Sequence, residues 1–186
     1  MTVHDFDRKY QRSQDGMTAS DLIRSWLPGC VTVERAEKKD DLNGIDYWAV
    51  LRKGARVGID HKLREAGCKR FWKNGSPELP MEIWSVMPDT ANKGVTGWTL
   101  SETKNTDYVL FTFDLSDSDQ AFLLPFQLLR IAFHNNYAHW RSLYIQRPQE
   151  SVRGGLRWKS EAAFVPANIV LAEINALMNK ACEART

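Results

Sequence analysis

Cysteine is scarce in this chain. The three that occur, Cys30, Cys68 and Cys182, are odd in number, widely spaced and form no CxxC. That excludes a disulfide framework and a structural zinc centre of the usual ligand spacing. No apolar run approaches the roughly 18 residues that a membrane span requires. No basic start followed by an apolar stretch and a small-residue cleavage site opens the chain, so an intracellular, cytoplasmic protein without membrane partners is expected. GK[ST] and GxSxG are both missing, which argues against a P-loop and a nucleophile elbow. The acidic DLSDSD at 114–119 lacks the glycine and terminal glutamate of a calcium loop. His134 and His139 lie five apart on an expected helix and so do not share a face as a metal pair would. Repeats and low-complexity tracts are likewise absent.

What is present is an ordinary globular composition, 43% hydrophobic and 26% charged over 186 residues. This length suggests one domain able to bury a core without staples. Net charge is only +2, but it is unevenly spread. Residues 52–73 carry eight Lys or Arg against two acids, and residues 141–159 carry five against one. Clustered positive charge is the footprint of a phosphate-binding surface, although a solvated face produces the same composition.

The pattern along the chain predicts a mixed α/β fold. A short helix is expected over Asp5 to Gln14. A clearer one runs from Thr18 to Leu27, with Thr18 and Asp21 as a capping box and Leu22, Ile23, Trp26 and Leu27 as its apolar stripe. Strands follow at 30–36, 45–51, 55–63, 81–86, 96–100 and 107–115, rich in Val, Ile, Thr and aromatic residues. AFLLPFQLLRIAF and AAFVPANIVLAEI then read as strands ending at Pro125 and Pro166, each proline at the first position of a helix. Those helices run to about Trp140 and Lys180, giving a mixed sheet flanked by helices.

One hairpin stands out, GIDYWAVLRKGARVGIDHK at 44–62. With Arg52-Lys53-Gly54 as a three-residue loop and Gly54 in its left-handed position, Leu51 faces Ala55. Asp46 then lies directly opposite Asp60, their side-chain roots about 5 Å apart, and Lys62 shares their face. The other face gathers Ile45, Tyr47, Ala49, Leu51, Val57, Ile59 and Leu63, a coherent apolar set. A two-residue loop would split the aspartates between faces and mix Ile45 with polar residues. Opposed like charges are destabilising unless a cation or shared proton resolves them. Two carboxylates at this spacing suit Mg²⁺, which keeps several waters. The plainer alternative is that the acids pair with nearby Lys and Arg.

Asp46 in GIDYWAVL, followed by Asp60 and Lys62 in VGIDHKLR, resembles the D-(x)n-(D/E)-x-K signature of the PD-(D/E)XK nuclease superfamily. The resemblance covers roughly residues 18–140 and includes the helix-strand-strand-strand start. It implies a restriction-endonuclease-like sheet in a single domain, residues 1–186, with a C-terminal strand-helix extension. It also implies a Mg²⁺- or Mn²⁺-dependent nuclease acting on nucleic acid, DNA more than RNA, with a homodimer as a candidate assembly. Asp46, Asp60 and the backbone carbonyl of His61 would hold the metal, and Lys62 would serve the attacking water. Ile45 stands where the motif has proline. Glu82 in PMEIWS, followed by GWTL and TDYVLF, looks like phage or prophage members, and is a candidate additional acid. A fold that has lost turnover and serves as a nucleic-acid-binding or inhibitor module is the alternative.

The basic segment after the hairpin supplies Arg64, Lys69, Arg70 and Lys73 around Phe71-Trp72. Arg153, Arg157 and Lys159 flank Gly154-Gly155. Both groups are candidates for holding a phosphate backbone, with an exposed aromatic available to stack on a base.

Overall fold

Ala19, Ile23 and Leu27 recur at helical spacing and are all buried, so helix α1 (Met17–Trp26) turns this stripe toward a sheet. Burying a side chain such as Ile23 contributes about 2–3 kcal/mol. Trp26 lies off the stripe and is exposed. The computed structural model describes residues 3–5, 17–64, 66–72, 75–90, 92–113, 121–144 and 148–184. The architecture is mixed α/β.

In chain order the remaining elements are β1 (Val3–Asp5), β2 (Cys30–Arg35), the single turn α2 (Lys38–Asp41), β3 (Tyr47–Leu51) and β4 (Arg56–Arg64). Then come β5 (Glu78–Val86), β6 (Val95–Thr96), β7 (Tyr108–Phe113), β8 (Ala121–Pro125), α3 (Phe126–Tyr144), β9 (Gln149–Arg153), β10 (Leu156–Pro166) and α4 (Ala167–Glu183). The strands build two five-stranded sheets, ordered β2-β3-β4-β7-β8 and β1-β9-β10-β5-β6. The chain divides into two compact units accordingly, one of Lys9–Arg70 and Thr103–Gln127, the other of Met1–Arg8, Phe71–Glu102 and Leu128–Thr186.

The first of these units carries the hairpin. Its core places Ala19, Ile23 and Leu27 of the α1 region on Tyr47, Ala49, Ile59 and Leu110, with Leu51 and Val57 at the margin. Five members of the apolar face expected of the hairpin are there, whereas Ile45 packs over Gly58 and Leu63 lies outside this core. Strands β2, β3 and β4 are antiparallel, whereas β4 pairs with β7 in parallel. A parallel pair needs a long crossover. Here the crossover runs through residues of the second unit before the chain returns at β7.

Several local expectations shift. Pro125 and Pro166 end their strands, and the helices begin one residue later. Pro166 has ψ 135, an extended value that serves as a helix boundary and not as a first turn. Asp5 belongs to β1, which pairs in parallel with β9; residues 6–14 lie outside the described residues. Of the strand expected at 96–100 only Thr96 remains, because Gly97–Ser101 close a turn in which Leu100 and Ser101 donate to the Gly97 carbonyl. Helix α1 begins at Met17, so Thr18 falls inside it and not at its cap.

Candidate functional site

The turn Arg52–Gly54 places both Lys53 (φ 76) and Gly54 (φ 80) in the left-handed region. Leu51 N–H donates to the Ala55 carbonyl across it at 2.7 Å. From this turn the ladder pairs Val50 with Arg56, Ala49 with Val57, Trp48 with Gly58 and Tyr47 with Ile59. Beyond that pair the ladder is irregular: Asp46 N–H, which a regular ladder would turn away from β4, donates to the Ile59 carbonyl at 2.8 Å. Asp46 sits just past the end of the ladder, where its carboxylate meets that of Asp60.

The two carboxylates hydrogen-bond to each other. Asp46 Oδ2 accepts the His61 N–H at 2.7 Å, and Asp46 Oδ1 lies 3.8 Å from the Arg35 guanidinium. Lys62 Nζ is 2.8 Å from Asp60 Oδ1. A strand residue directs its N–H and C=O to the same neighbour, with alternate residues alike. His61 follows Ile59 by two, so its carbonyl points to the side occupied by Asp46.

Electrostatics separate the two acids. Asp60 is only 3% exposed, and burial, assisted by the negative charge of Asp46 and opposed by Lys62, pushes its carboxyl up to about 6. Burial also opposes ionisation of Asp46, but Lys62, the His61 N–H, the Asp60 hydrogen bond and Arg35 together hold it below the usual carboxylate range. Below about pH 6 a proton resident on Asp60 relieves the like-charge conflict, and above it Lys62 and Arg35 offset the two acids. Burial lowers His61 to about 4, so its ring is neutral near pH 7. That ring sits beside Tyr47, with Nε2 2.6 Å from Thr112 Oγ1.

Two contributors escaped the sequence reading. The single turn α2 is fastened by Trp48 Nε1, which donates to Asp40 Oδ2 at 3.0 Å, and by Ile45 N–H, which donates to the Asp40 carbonyl. The next residue, Asp41, thereby reaches Asp46 and hydrogen-bonds to it; burial and the Asp46 charge raise its carboxyl. Arg35, at the end of β2, stacks its guanidinium 4.7 Å from the Tyr47 ring centre. KKDD before the hairpin was the only local signal for Asp41, and a basic strand end the only one for Arg35.

No family model matches this chain, and no curated protein or solved structure matches it either. The donor chemistry of the site therefore has to speak for itself. Among the described residues no group of three or more His, Cys, Asp or Glu is arranged to hold a metal ion. Mg²⁺ needs fewer, using one or two carboxylates with waters completing its shell. Asp46, Asp60 and the His61 carbonyl are oxygen donors of that kind.

The other expected residues are distributed between the units. Arg64 ends β4 and is half-buried, and Lys69 and Arg70 are exposed on the 3₁₀ segment Ala66–Phe71. Lys73 lies outside the described residues. Arg153, Arg157 and Lys159 are exposed on the β9–β10 hairpin of the second unit, around the Gly154-Gly155 turn. Glu82 belongs to the second unit too, where its Oε2 accepts from Ser85 Oγ at 2.6 Å and from the Trp98 N–H at 3.2 Å. His134 and His139 are both exposed on α3. Among the described residues no helix is long and apolar enough to cross a membrane.

Proposed function

We propose that this protein is a Mg²⁺- or Mn²⁺-dependent nuclease of PD-(D/E)XK type that hydrolyses phosphodiester bonds, in DNA more readily than in RNA. The observation that carries the reading is the meeting of the Asp46 and Asp60 carboxylates, with Lys62 on Asp60. A bound divalent ion supplies an activated water and neutralises charge developing on the phosphate. Asp46 and Asp60 hold that ion, with the His61 carbonyl beside them. Lys62 holds the attacking water or the developing phosphorane through its ammonium group. Arg64, Lys69, Arg70 and Lys73 of one basic segment, and Arg153, Arg157 and Lys159 of the other, hold the nucleic-acid backbone. Glu82 is engaged with Ser85 and Trp98 and takes a supporting role at most. Cytoplasmic action, a phage-type relationship and a homodimeric assembly belong to the same reading.

A module that binds nucleic acid without turnover is favoured by one observation: Lys62 already pairs with Asp60 at 2.8 Å without a cation. Purified protein incubated with plasmid, single-stranded DNA and RNA in Mg²⁺ or Mn²⁺ decides between the two. Cleavage is expected, and Asp60→Ala or Lys62→Ala should reduce it at least about a hundredfold. Undiminished cleavage by both variants would refute the site. DNA binding without cleavage by the wild type selects the silent module. Calorimetric titration with Mn²⁺ should show heat with the wild type and none with Asp60→Asn.

A further inference from the structure

We infer that the cavity between the β9–β10 hairpin and the loop after β5 binds one nucleotide that carries a phosphomonoester and a base with an exocyclic amine. Such a site lies in the second unit alone, so it stands independently of the hairpin acids and of turnover. It narrows the part given above to Arg157 and Lys159, from backbone contact in general to one nucleotide held in a pocket.

The cavity has a volume of about 430 Å³, within the range of about 300–1,000 Å³ common to small-molecule sites. The hairpin supplies its charge. Arg157 and Lys159 are two apart on β10 and so share a face. Glu150 is paired with Lys159 across β9 and β10 and stands on that face too. All three line the cavity, Arg157 and Lys159 exposed and Glu150 half-buried. Among the described residues none of these three side chains is held in an ion pair.

The facing wall is braced by its own hydrogen bonds. Met87 N–H donates to the Lys159 carbonyl at 2.8 Å, which ties the loop to β10. Asp89 N–H donates to the Asn92 carbonyl at 3.0 Å, and Asn92 N–H donates to Asp89 Oδ1 at 2.9 Å. Asn92 Oδ1 in turn accepts the Gly94 N–H at 2.5 Å. Gly94 lies so close behind the loop that an added Cβ would come within 2.8 Å of the Pro88 nitrogen and the Val86 carbonyl oxygen. These contacts hold Val86, Met87 and Pro88 as an apolar wall. They also turn the Asn92 amide so that Nδ2 presents its two donors to a ligand.

Charge selects the occupant. Arg157 and Lys159 balance Glu150 and Asp89, so the lining is neutral in sum. A bare anion gains little there, because each cation that attracts it is offset by a carboxylate. A ligand with an anionic end and an N–H-bearing end satisfies both signs, and a nucleotide is of this kind. The Arg157 guanidinium offers a planar fork to two phosphate oxygens, with the Lys159 ammonium and Asn92 Nδ2 beside it. Glu150 accepts from an exocyclic amine such as cytosine N4, while Val86, Met87 and Pro88 cover the base. Thymine lacks that amine and leaves Glu150 unsatisfied.

The test is calorimetric titration of the full chain in chelator, which keeps cleavage out of the readout. Wild type, Arg157→Gln, Lys159→Gln and Glu150→Gln are titrated with dCMP, dTMP and inorganic phosphate. Two oligonucleotides beginning with dC, one 5′-phosphorylated and one 5′-hydroxyl, separate a free nucleotide from a strand end as the source of the phosphomonoester. Expected is saturable binding of dCMP at least about tenfold tighter than of dTMP or phosphate. Arg157→Gln should weaken dCMP binding by about tenfold or more, as for loss of a charged hydrogen-bonding partner. Lys159→Gln carries that arm if Arg157→Gln fails to fold. Glu150→Gln should erase the preference for dCMP over dTMP. Binding of the 5′-phosphorylated strand alone supports the site and makes a strand end its ligand. Absence of binding by both dCMP and that strand overturns the inference, as does equal affinity for dCMP and phosphate. Wild-type dCMP affinity in folded Arg157→Gln and Lys159→Gln overturns it too. Failure of the nuclease reading looks different: dCMP still binds, but neither Mg²⁺ nor Mn²⁺ elicits cleavage.

Discussion

Lys62 Nζ stands 2.8 Å from Asp60 Oδ1, yet Asp60 is still pushed up to about 6. Desolvation of a buried carboxylate, with Asp46 across the hairpin, outweighs a directly bonded ammonium. The hairpin therefore stores an unfavourable charge arrangement at one end, and that arrangement can be read out through pH.

The folded-state value for Asp60 lies above its ordinary 3.8, so the fold favours the protonated acid. Its contribution to stability is complete below about pH 4 and is lost as pH rises to about 6. In metal-free buffer, Asp60→Asn should gain on the wild type across that interval by on the order of 2–3 kcal/mol. Urea unfolding at several pH values in chelator checks this. A constant difference between the two proteins would contradict it.

His61 behaves in the opposite sense. Its value is lowered from 6.5 to about 4 by burial, so the fold favours the neutral ring. The resulting stability is present above about pH 6.5 and is lost as pH falls toward 4. The ring resonances of His61 should stay in their neutral position until about pH 4 in an NMR titration. Titration near 6.5 would show that the ring is solvated.

Lys53 adopts φ 76 in the turn that sets the register. A side chain in the left-handed region costs about 1 kcal/mol that glycine avoids. Lys53→Gly should raise stability by about 0.5–1 kcal/mol in urea unfolding and leave cleavage unchanged.

Gly97 is packed under Glu82, where an added Cβ would overlap the Glu82 carbonyl. Gly97→Ala should destabilise the protein by about 1–3 kcal/mol through overpacking. Thermal unfolding with and without Mn²⁺ should show a lower transition in both cases, with metal binding unaffected because Glu82 is occupied by Ser85 and Trp98.

The hairpin was legible because its information is local. A three-residue loop ending in glycine, side-chain alternation and a largely coherent apolar face favour one register for Asp46 and Asp60 over the two-residue-loop alternative. The elements at 17–26, 30–35 and 108–113 were legible for the same reason, through helical spacing and β-branched runs. Asp41 and Arg35 were not, since a single helical turn and a strand end carry no periodic signal. The parallel pairing of β1 with β9 and the antiparallel pairing of β5 with β10 join residues far apart in the chain. Nothing in either partner alone announces the other.

The amino-acid sequence by itself determined that two aspartates and a lysine would share one face of one hairpin, because side-chain alternation and turn geometry are short-range. Only the tertiary structure decided what surrounds them. It brought Arg35 and Asp41 to Asp46, buried Asp60, placed Glu82 in a second sheet and divided the strands between two units. Those outcomes depend on desolvation and long-range pairing, which arise from the packed chain and from no local stretch of it.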